Sequence, residues 1–316
     1  MSTANATPPD RQDHPQRRYL LASHSVDVGR IAPGLHVVAT PIGNLGDITL
    51  RALATLAGAD LIACEDTRVT RKLLDRYAIS TPLTPYHDHN AAAARPKLLR
   101  RIAEGAAVAL VSDAGTPLVS DPGFKLVRAA QEAGHTVTTL PGASAALAAL
   151  TVAGLPTDQF LFAGFLPPKQ AARRARIAEL ARIPATLVVF ETGPRIAVTL
   201  ADLAAELGGR EAAVCRELNK MHEEIRRGDL ATLAQCYAGS EARGEIVLVI
   251  APPSAPERPS ADDTDTLLRQ ALARVSLKDA VGEVAVATGL SRRELYQRAL
   301  ALAKEEGGER GHGAPR

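Results

Sequence analysis

Short apolar runs alternate with Ala/Leu-rich stretches from residue 34 to about 150, and each run is closed by polar, Gly or Pro residues. The runs at 35–39, 59–64 and 106–111 are too short for helices and are bounded by turn residues, so they read as buried strands. Strands that alternate with helices in this way form a parallel sheet. A second alternation begins after 154–156 (GLP), with strands expected near 160–163, 185–190, 211–215 and 245–250. The spacing therefore predicts an α/β protein with two α/β domains, 34–152 and 153–252.

The ends of the chain differ in pattern. Residues 1–33 are polar and lack an apolar h-region, so they are read as a disordered extension without a signal peptide. Pro and Ser dominate 251–260, which makes 253–264 a semi-rigid linker. Beyond it, 265–306 carries no strand signal. Ser276 with Asp279, and Ser291 with Glu294, have capping-box spacing, and each opens a helix. With Thr288, Gly289 and Leu290 between them, the two helices predict a helix-turn-helix-like tail, followed by a disordered end at 307–316.

The polar clusters carry the candidate chemistry. SDAGTPLVSDPG (112–123) follows the 106–111 strand and precedes a helix-forming stretch. Loops at the carboxyl ends of strands are where open α/β sheets bind ligands. Gly115 lets backbone approach a ligand, Pro117 and Pro122 stiffen the loop, and Asp113 offers an acceptor. TPIGNLGDIT (40–49), CEDTR (64–68), YHDHN (86–90) and LPGASA (140–145) end four further strands. Five such clusters converge at one edge of a parallel sheet.

Composition changes this picture little. A hydrophobic content of 46% supports a substantial core, while aromatics at 3% and the absence of Trp argue against aromatic stacking as the main grip on nucleic acid. The net charge is only +2, so any RNA affinity must come from local patches. Cys64, Cys215 and Cys236 are too few and too scattered for a disulfide framework or a zinc site, which fits a reducing, cytoplasmic compartment. No apolar run reaches membrane-spanning length. There is no G-x-x-x-x-G-K-[ST], and no G-x-G-x-x-G after the first strand, so neither a P-loop hydrolase nor a Rossmann dinucleotide site is expected. His87 and His89 share a face if extended, but no second His or Cys pair accompanies them, and no metal is expected.

The order and wording of the five clusters, together with RGEIVLVI (243–250), resemble the tetrapyrrole methylase superfamily. Within it, residues 34 to 252 are similar to the ribosomal RNA small subunit methyltransferase I family. The resemblance implies a cofactor cleft between two α/β domains, S-adenosylmethionine as methyl donor, and 2′-O-methylation of a cytidine in 16S rRNA of the 30S subunit. It also implies a C-terminal helical element. A homodimer without membrane association is the expected assembly.

The resemblance turns the clusters into candidate sites. Asp113, Ala114, Gly115 and Thr116 suit a cofactor cradle, as do Pro41 in TPIGNLGDIT and Ser144 and Ala145 at the next helix start. Ser144 is equally suited to be a plain N-cap. The resemblance places Leu155, Phe165 and the 218–219 region on the cofactor's other side, although the family pattern has Thr where this chain has Asn219. A ribose hydroxyl is a poor nucleophile and needs a base or polarising group beside it. Glu65, Asp66 and Arg68 are candidates, with His87, His89, and Lys220 together with Glu223 and Glu224. The alternative for CEDTR is a helix cap, and for 220–227 an exposed charge run. Lys169, Arg173, Arg174 and Arg176 form a window of four positive charges without an acid, a candidate phosphate contact, as are Arg292, Arg293 and Arg298 in the tail. The same residues fit a solvated helix face or a packing pair. Two other function classes remain open from sequence: a small-molecule tetrapyrrole methylase, and a DNA-binding regulator that uses the terminal helices.

Overall fold

A computed structural model describes residues 17–239, 241–253 and 260–309, with side chains described to residue 302. The chain divides into a unit ending at Pro253 and a C-terminal unit.

The first unit opens with a hairpin, β1 (Arg18–Leu21) and β2 (His24–Asp27), in antiparallel register. Residues 17–33 are thus ordered, contrary to the disordered extension expected for 1–33; residues 1–16 lie outside the described ones. A single buried anchor explains the difference. Tyr19 enters the core, and Leu20 N–H donates to Tyr77 O. Arg17 and Arg30 both reach the Asp60 carboxylate. Burial works to raise the pKa of Asp60, but hydrogen bonds from Ala107 N–H, Arg17 and Arg30 outweigh it and hold the carboxyl below its ordinary range.

Next come β3 (Gly34–Val38), α1 (Leu50–Gly58), β4 (Leu61–Cys64), α2 (Thr67–Arg76), β5 (Leu83–Pro85), α3 (Ala91–Ala103), β6 (Ala107–Val111), α4 (Phe124–Glu132) and β7 (Val137–Leu140). The five strands form a parallel sheet in the order β5-β4-β6-β3-β7. Every residue of central β6 is buried, as a strand covered on both faces requires. The connections from β3 and β6 leave in opposite directions across the sheet, β3 toward β4 and β6 toward β7, which opens a crevice at their carboxyl ends.

The helix after β7 does not stay with this sheet. α5 (Ala145–Ala153) buries Ala146, Ala149, Leu150 and Ala153 against Val188, Ala213, Cys215, Val247 and Val249 of the second sheet. In packing, the division between the halves therefore falls before α5, not at the expected residue 152.

The second sheet contains β8 (Phe160–Phe165), β9 (Thr186–Thr192), β10 (Glu211–Arg216), β11 (Glu224–Asp229) and β12 (Glu245–Ile250), in the order β11-β10-β12-β9-β8. β8 and β9 are parallel and the other neighbours antiparallel. Its other face carries α6 (Gln170–Leu180), α7 (Ile196–Leu207) and α8 (Leu230–Tyr237). β11 corrects the sequence reading. The second half of the expected charge run at 220–227 is an edge strand whose alternation was hidden because an edge tolerates charge on both faces.

The basic window on α6 is also corrected. Arg173 is buried, its guanidinium 2.7 Å from the Asp202 carboxylate of α7, and it also donates to Pro168 O. Arg174 pairs with Glu206, and Arg176 with Glu179. The acids that neutralise the window come mostly from the next helix, so the local sequence could not reveal them. Of the four, Lys169 is exposed and forms no ion pair among the described residues.

The C-terminal unit holds α9 (Ala261–Leu272), α10 (Leu277–Thr288) and α11 (Arg292–Glu309) around a core that includes Leu268, Val281, Val284 and Leu295. Ser260 and Asp263 form a full capping box, so helix begins inside the expected linker at 253–264 and adds a third helix to the tail. Residues 254–259 and the expected disordered end from 310 onward lie outside the described residues, while α11 carries 307–309. Ser276 and Ser291 open α10 and α11 as their spacing predicts. Arg298 is tied to Asp265, which fastens α11 to α9 and withdraws this arginine from the phosphate contacts expected of it.

Arg173→Ala should lower stability by about 3–5 kcal/mol, because it strands the Asp202 carboxylate in a dry interior. Chemical denaturation measures the loss. Arg173→Leu combined with Asp202→Leu should recover much of it, as removing both charges also removes the desolvation cost.

Candidate active site

A cavity of about 330 Å³ lies at the carboxyl edge of the parallel sheet, between its loops and the second sheet. Residues 113–116 and 119–121 supply one wall. Thr40 and Gly115 pair through both backbone bonds, Thr40 N–H to Gly115 O at 2.9 Å and Gly115 N–H to Thr40 O at 3.0 Å. This bridge sets the loop against the end of β3. Gly115 has φ +78°, and a Cβ there would lie 3.3 Å from Ile42 Cγ2. Glycine is thus required by the turn, and its backbone groups serve the bridge instead of facing a ligand, as sequence had suggested. Leu118 and Ser120 also hold positive φ, a strained conformation of the kind that concentrates at binding loops.

Asp113, Ala114, Gly115, Thr116, Ser144, Ala145 and Phe165 all line this cavity. Pro41 is buried beside Ile42, which does line it. Ser144 is the N-cap of α5, yet its side chain makes no cap hydrogen bond. Ser144 and Ala145 line the cavity, so the N-terminus of α5 borders it, an arrangement that favours an anionic group. Thr116 Oγ1 donates to Ala143 O at 3.1 Å and holds the two loops together. Phe165 is half exposed and meets Phe190 edge to face at 5.7 Å.

CEDTR is split by the structure. Glu65 lines the cavity, whereas Asp66 caps α2 by accepting from Arg68 N–H at 2.8 Å. The Arg68 side chain folds back on Asp66 at 2.6 Å, holding that carboxyl down to about 2, and is otherwise exposed. Asp66 N–H donates to Asp113 Oδ1, so the cap also positions the acid of the next loop.

Three carboxylates share one wall. Burial raises the pKa of Glu65, and the neighbouring charges of Asp113 and Asp88 raise it further. Burial likewise raises Asp113. Asp121, pushed up to about 6 by burial and the charge of Glu65, lines the same cavity. Among the described lining residues there is no Lys or Arg. Sequence reasoning did not single out Asp121 within SDAGTPLVSDPG. The second Ser-Asp pair, which ends the same loop, was the signal available.

His89 and Lys220 lie outside this lining. Residues 88–90 form a turn, so His87 and His89 are not extended side by side; their rings stand 6.0 Å apart, and His89 is exposed. Lys220 Nζ is held 2.8 Å from Glu217 and 2.9 Å from Glu245. Burial alone would lower its pKa, but these two bonds outweigh it and raise it. Lys220 is instead a clamp. Asn219 Nδ2 donates to Asp47 Oδ2 at 3.0 Å, joining the loop after β10 to TPIGNLGDIT. A Cβ at Gly43 would come within 2.5 Å of Lys220 Cγ, and one at Gly244 within 2.5 Å of Glu217, so both glycines make room for the clamp. Glu223 accepts from Asn219 N–H, and Glu224 pairs with Arg216 and Arg226. Leu218 reaches the cavity, with Glu191, Cys215, Glu245 and Val247 from the second sheet. Sequence missed these four because strand interiors carry no local sign of what they face.

Comparison with known proteins places this geometry. The model of the tetrapyrrole (corrin/porphyrin) methylases matches residues 34–234, and that of the RsmI C-terminal HTH domain matches residues 258–303. The ribosomal RNA small subunit methyltransferase I of Mesorhizobium japonicum is 52% identical, over 88% of this chain and 95% of its own. That of Erythrobacter litoralis is 54% identical, over 88% and 99%. Among solved structures, diphthine synthase superposes with a TM-score of 0.55 at 18% identity, covering 69% of this chain and 89% of its own. Uroporphyrin-III C-methyltransferase from Thermus thermophilus, complexed with S-adenyl homocysteine, gives 0.50 at 21%, covering 69% and 97%. These two share the fold. The chain belongs to the tetrapyrrole methylases and, within them, to the ribosomal RNA small subunit methyltransferase I family.

Proposed function

We propose that this enzyme transfers a methyl group from S-adenosylmethionine to the 2′-hydroxyl of a cytidine ribose in 16S rRNA. The observation that carries the proposal is the cavity wall of Glu65, Asp113 and Asp121, uncompensated by any lining cation, beside the N-terminus of α5. When bound, S-adenosylmethionine supplies a methyl group already activated on a cationic sulfonium. An acidic wall complements that cation, and the first turn of α5 with Ser144 complements a carboxylate. Ala114, Thr116, Ala145 and Phe165 would hold the remaining, less polar parts.

The chain's own residues then orient the acceptor and remove its proton. Asp121 and Glu65 face the cavity, and both are buried enough to bind a proton more tightly than ordinary carboxylates. A carboxylate oxygen of Asp121 takes the hydroxyl proton, and Glu65 keeps the proton affinity of Asp121 high through its charge. In the cell the substrate is the 30S subunit and the enzyme is a cytoplasmic homodimer. Among the described residues no helix is long and apolar enough to cross a membrane.

Methyl transfer from labelled cofactor to 30S subunits lacking the modification, with the product located by nuclease digestion and mass spectrometry, tests the assignment. Label on a cytidine O2′ is expected; label on a precorrin and none on RNA would overturn it. Ala145→Leu, which fills the cavity from its wall, should weaken S-adenosylhomocysteine binding by about tenfold or more in calorimetric titration, equivalent to about 1.4 kcal/mol.

The pH dependence follows from the raised carboxyl. A base must be deprotonated to act, so single-turnover transfer should rise with pH through about 6, the value to which Asp121 is pushed. Asp121→Asn should lower the rate by about 100-fold or more and abolish that acid limb. If Asp121→Asn keeps the limb while Glu65→Gln removes it, Glu65 is the base.

A further inference from the structure

The C-terminal unit has its own concave face, formed by the first turns of α10 and α11. Lys278, Arg292 and Arg293 line it, all three are exposed, and none forms an ion pair among the described residues. This sets them apart from Arg298 and Arg274, which are tied to Asp265 and Glu283. The one acid on the face, Asp279, accepts from Ser276 Oγ at 2.6 Å in the helix cap. With three cations and one acid in its lining, the face carries a net positive charge.

Two further features point to a ligand. Gly282 sits in the middle of α10, where glycine weakens a helix, and a Cβ built on it meets nothing within 4 Å. Packing does not require glycine there, and its effect is to keep the concavity open. Tyr296 lies one turn beyond Arg292 and Arg293 on the same side of α11, exposed, with its ring on the rim. A cluster of cations with an adjoining aromatic ring is the combination that grips a single strand: phosphates on the cations, an unpaired base on the ring.

Resting on the RNA substrate assigned above, we propose that this face binds the backbone of a single-stranded stretch of the RNA. Lys278, Arg292 and Arg293 contact successive phosphates, and Tyr296 stacks on an unpaired base between them. RNA is favoured over duplex DNA for a geometric reason. A recess bordered by an aromatic ring accepts a splayed nucleotide, whereas reading duplex DNA calls for a protruding helix in the major groove. An A-form RNA duplex keeps its bases paired and stacked, so it offers the ring no splayed base.

Fluorescence anisotropy of the full-length protein with a single-stranded RNA of about twelve nucleotides, titrated with KCl, tests the assignment. Changing Lys278, Arg292 and Arg293 together to Ala should weaken binding by about 10- to 100-fold at low salt. It should also reduce the slope of log K against log salt by about 2, near 0.7 for each phosphate left without its cation. Tyr296→Ala should cost about tenfold with the slope unchanged, because stacking displaces no counterion. Gly282→Glu should weaken binding by closing the recess, while Gly282→Ala should not and serves as the folding control. Cofactor titration should be the same for all variants. The proposal is overturned if the triple variant keeps wild-type affinity and slope, or if a DNA duplex binds these residues more tightly than the RNA strand. Wild-type protein that methylates 30S subunits alongside an unaffected triple variant sinks this site alone. Wild-type protein that binds the strand through these residues yet transfers no methyl group sinks the methyltransferase assignment and leaves the site.

Discussion

The alanine face of α5 against the second sheet is the contact on which the active site depends. Ala146, Ala149 and Ala153 are small enough to bring the helix close to the sheet, where Val188, Ala213 and Val247 meet it. The residues just before α5 end a strand of the first sheet, so Ser144 and Ala145 stand where the two halves join. Close packing at that seam leaves little room for adjustment. A bulkier residue on the buried face would push the helix off the sheet and carry Ser144 and the Ala143 carbonyl with it. Thr116 donates to that carbonyl, so the shift would reach the ligand loop. Cavity shape and core packing are therefore one constraint.

The cavity's electrostatics follow from which acids have partners. Glu191 is buried but accepts from Thr199 and Thr192 and pairs with Arg195; Glu217 and Glu245 share Lys220. Glu65, Asp113 and Asp121 form no ion pair among the described residues, and burial, joined by the charge of neighbouring carboxylates, raises their proton affinities. A site of this sign attracts a cationic methyl donor and repels a phosphodiester. The ribose can approach only if the backbone on either side is held elsewhere.

Much of this was legible in the sequence, for physical reasons that also mark the limit. The strands of the parallel sheet showed because buried strands are continuous apolar runs ended by turn residues, and the loops at their ends gather at one edge by topology alone. Asp113, Thr116 and Ser144 therefore line one cavity. Groups whose role depends on a partner far along the chain did not. Arg173 looked like a phosphate ligand because Asp202 is 29 residues away. Asp66 and Arg68 looked free because a cap and its ion pair use residue types that also do chemistry. Tyr19 was missed because one buried aromatic in a polar stretch leaves no period to read. Cys215 and Val247 face the cavity from strand interiors, where facing is decided by the sheet and not by the residue.

The same reasoning applies to the basic residues. In a chain with 37 basic and 35 acidic residues, a cationic surface exists only where the fold fails to supply acids to neighbouring bases. On α6 the fold supplies them, and three arginines join the ion-pair scaffold of the second sheet, leaving Lys169 alone. In the tail, Arg298 is joined to the scaffold in the same way, but Arg292, Arg293 and Lys278 are not, although Glu294 lies within two residues of Arg292. Glu294 instead takes up the Ser291 cap at the start of α11. Among the described residues Lys278, Arg292 and Arg293 form no ion pair and remain available to an outside anion.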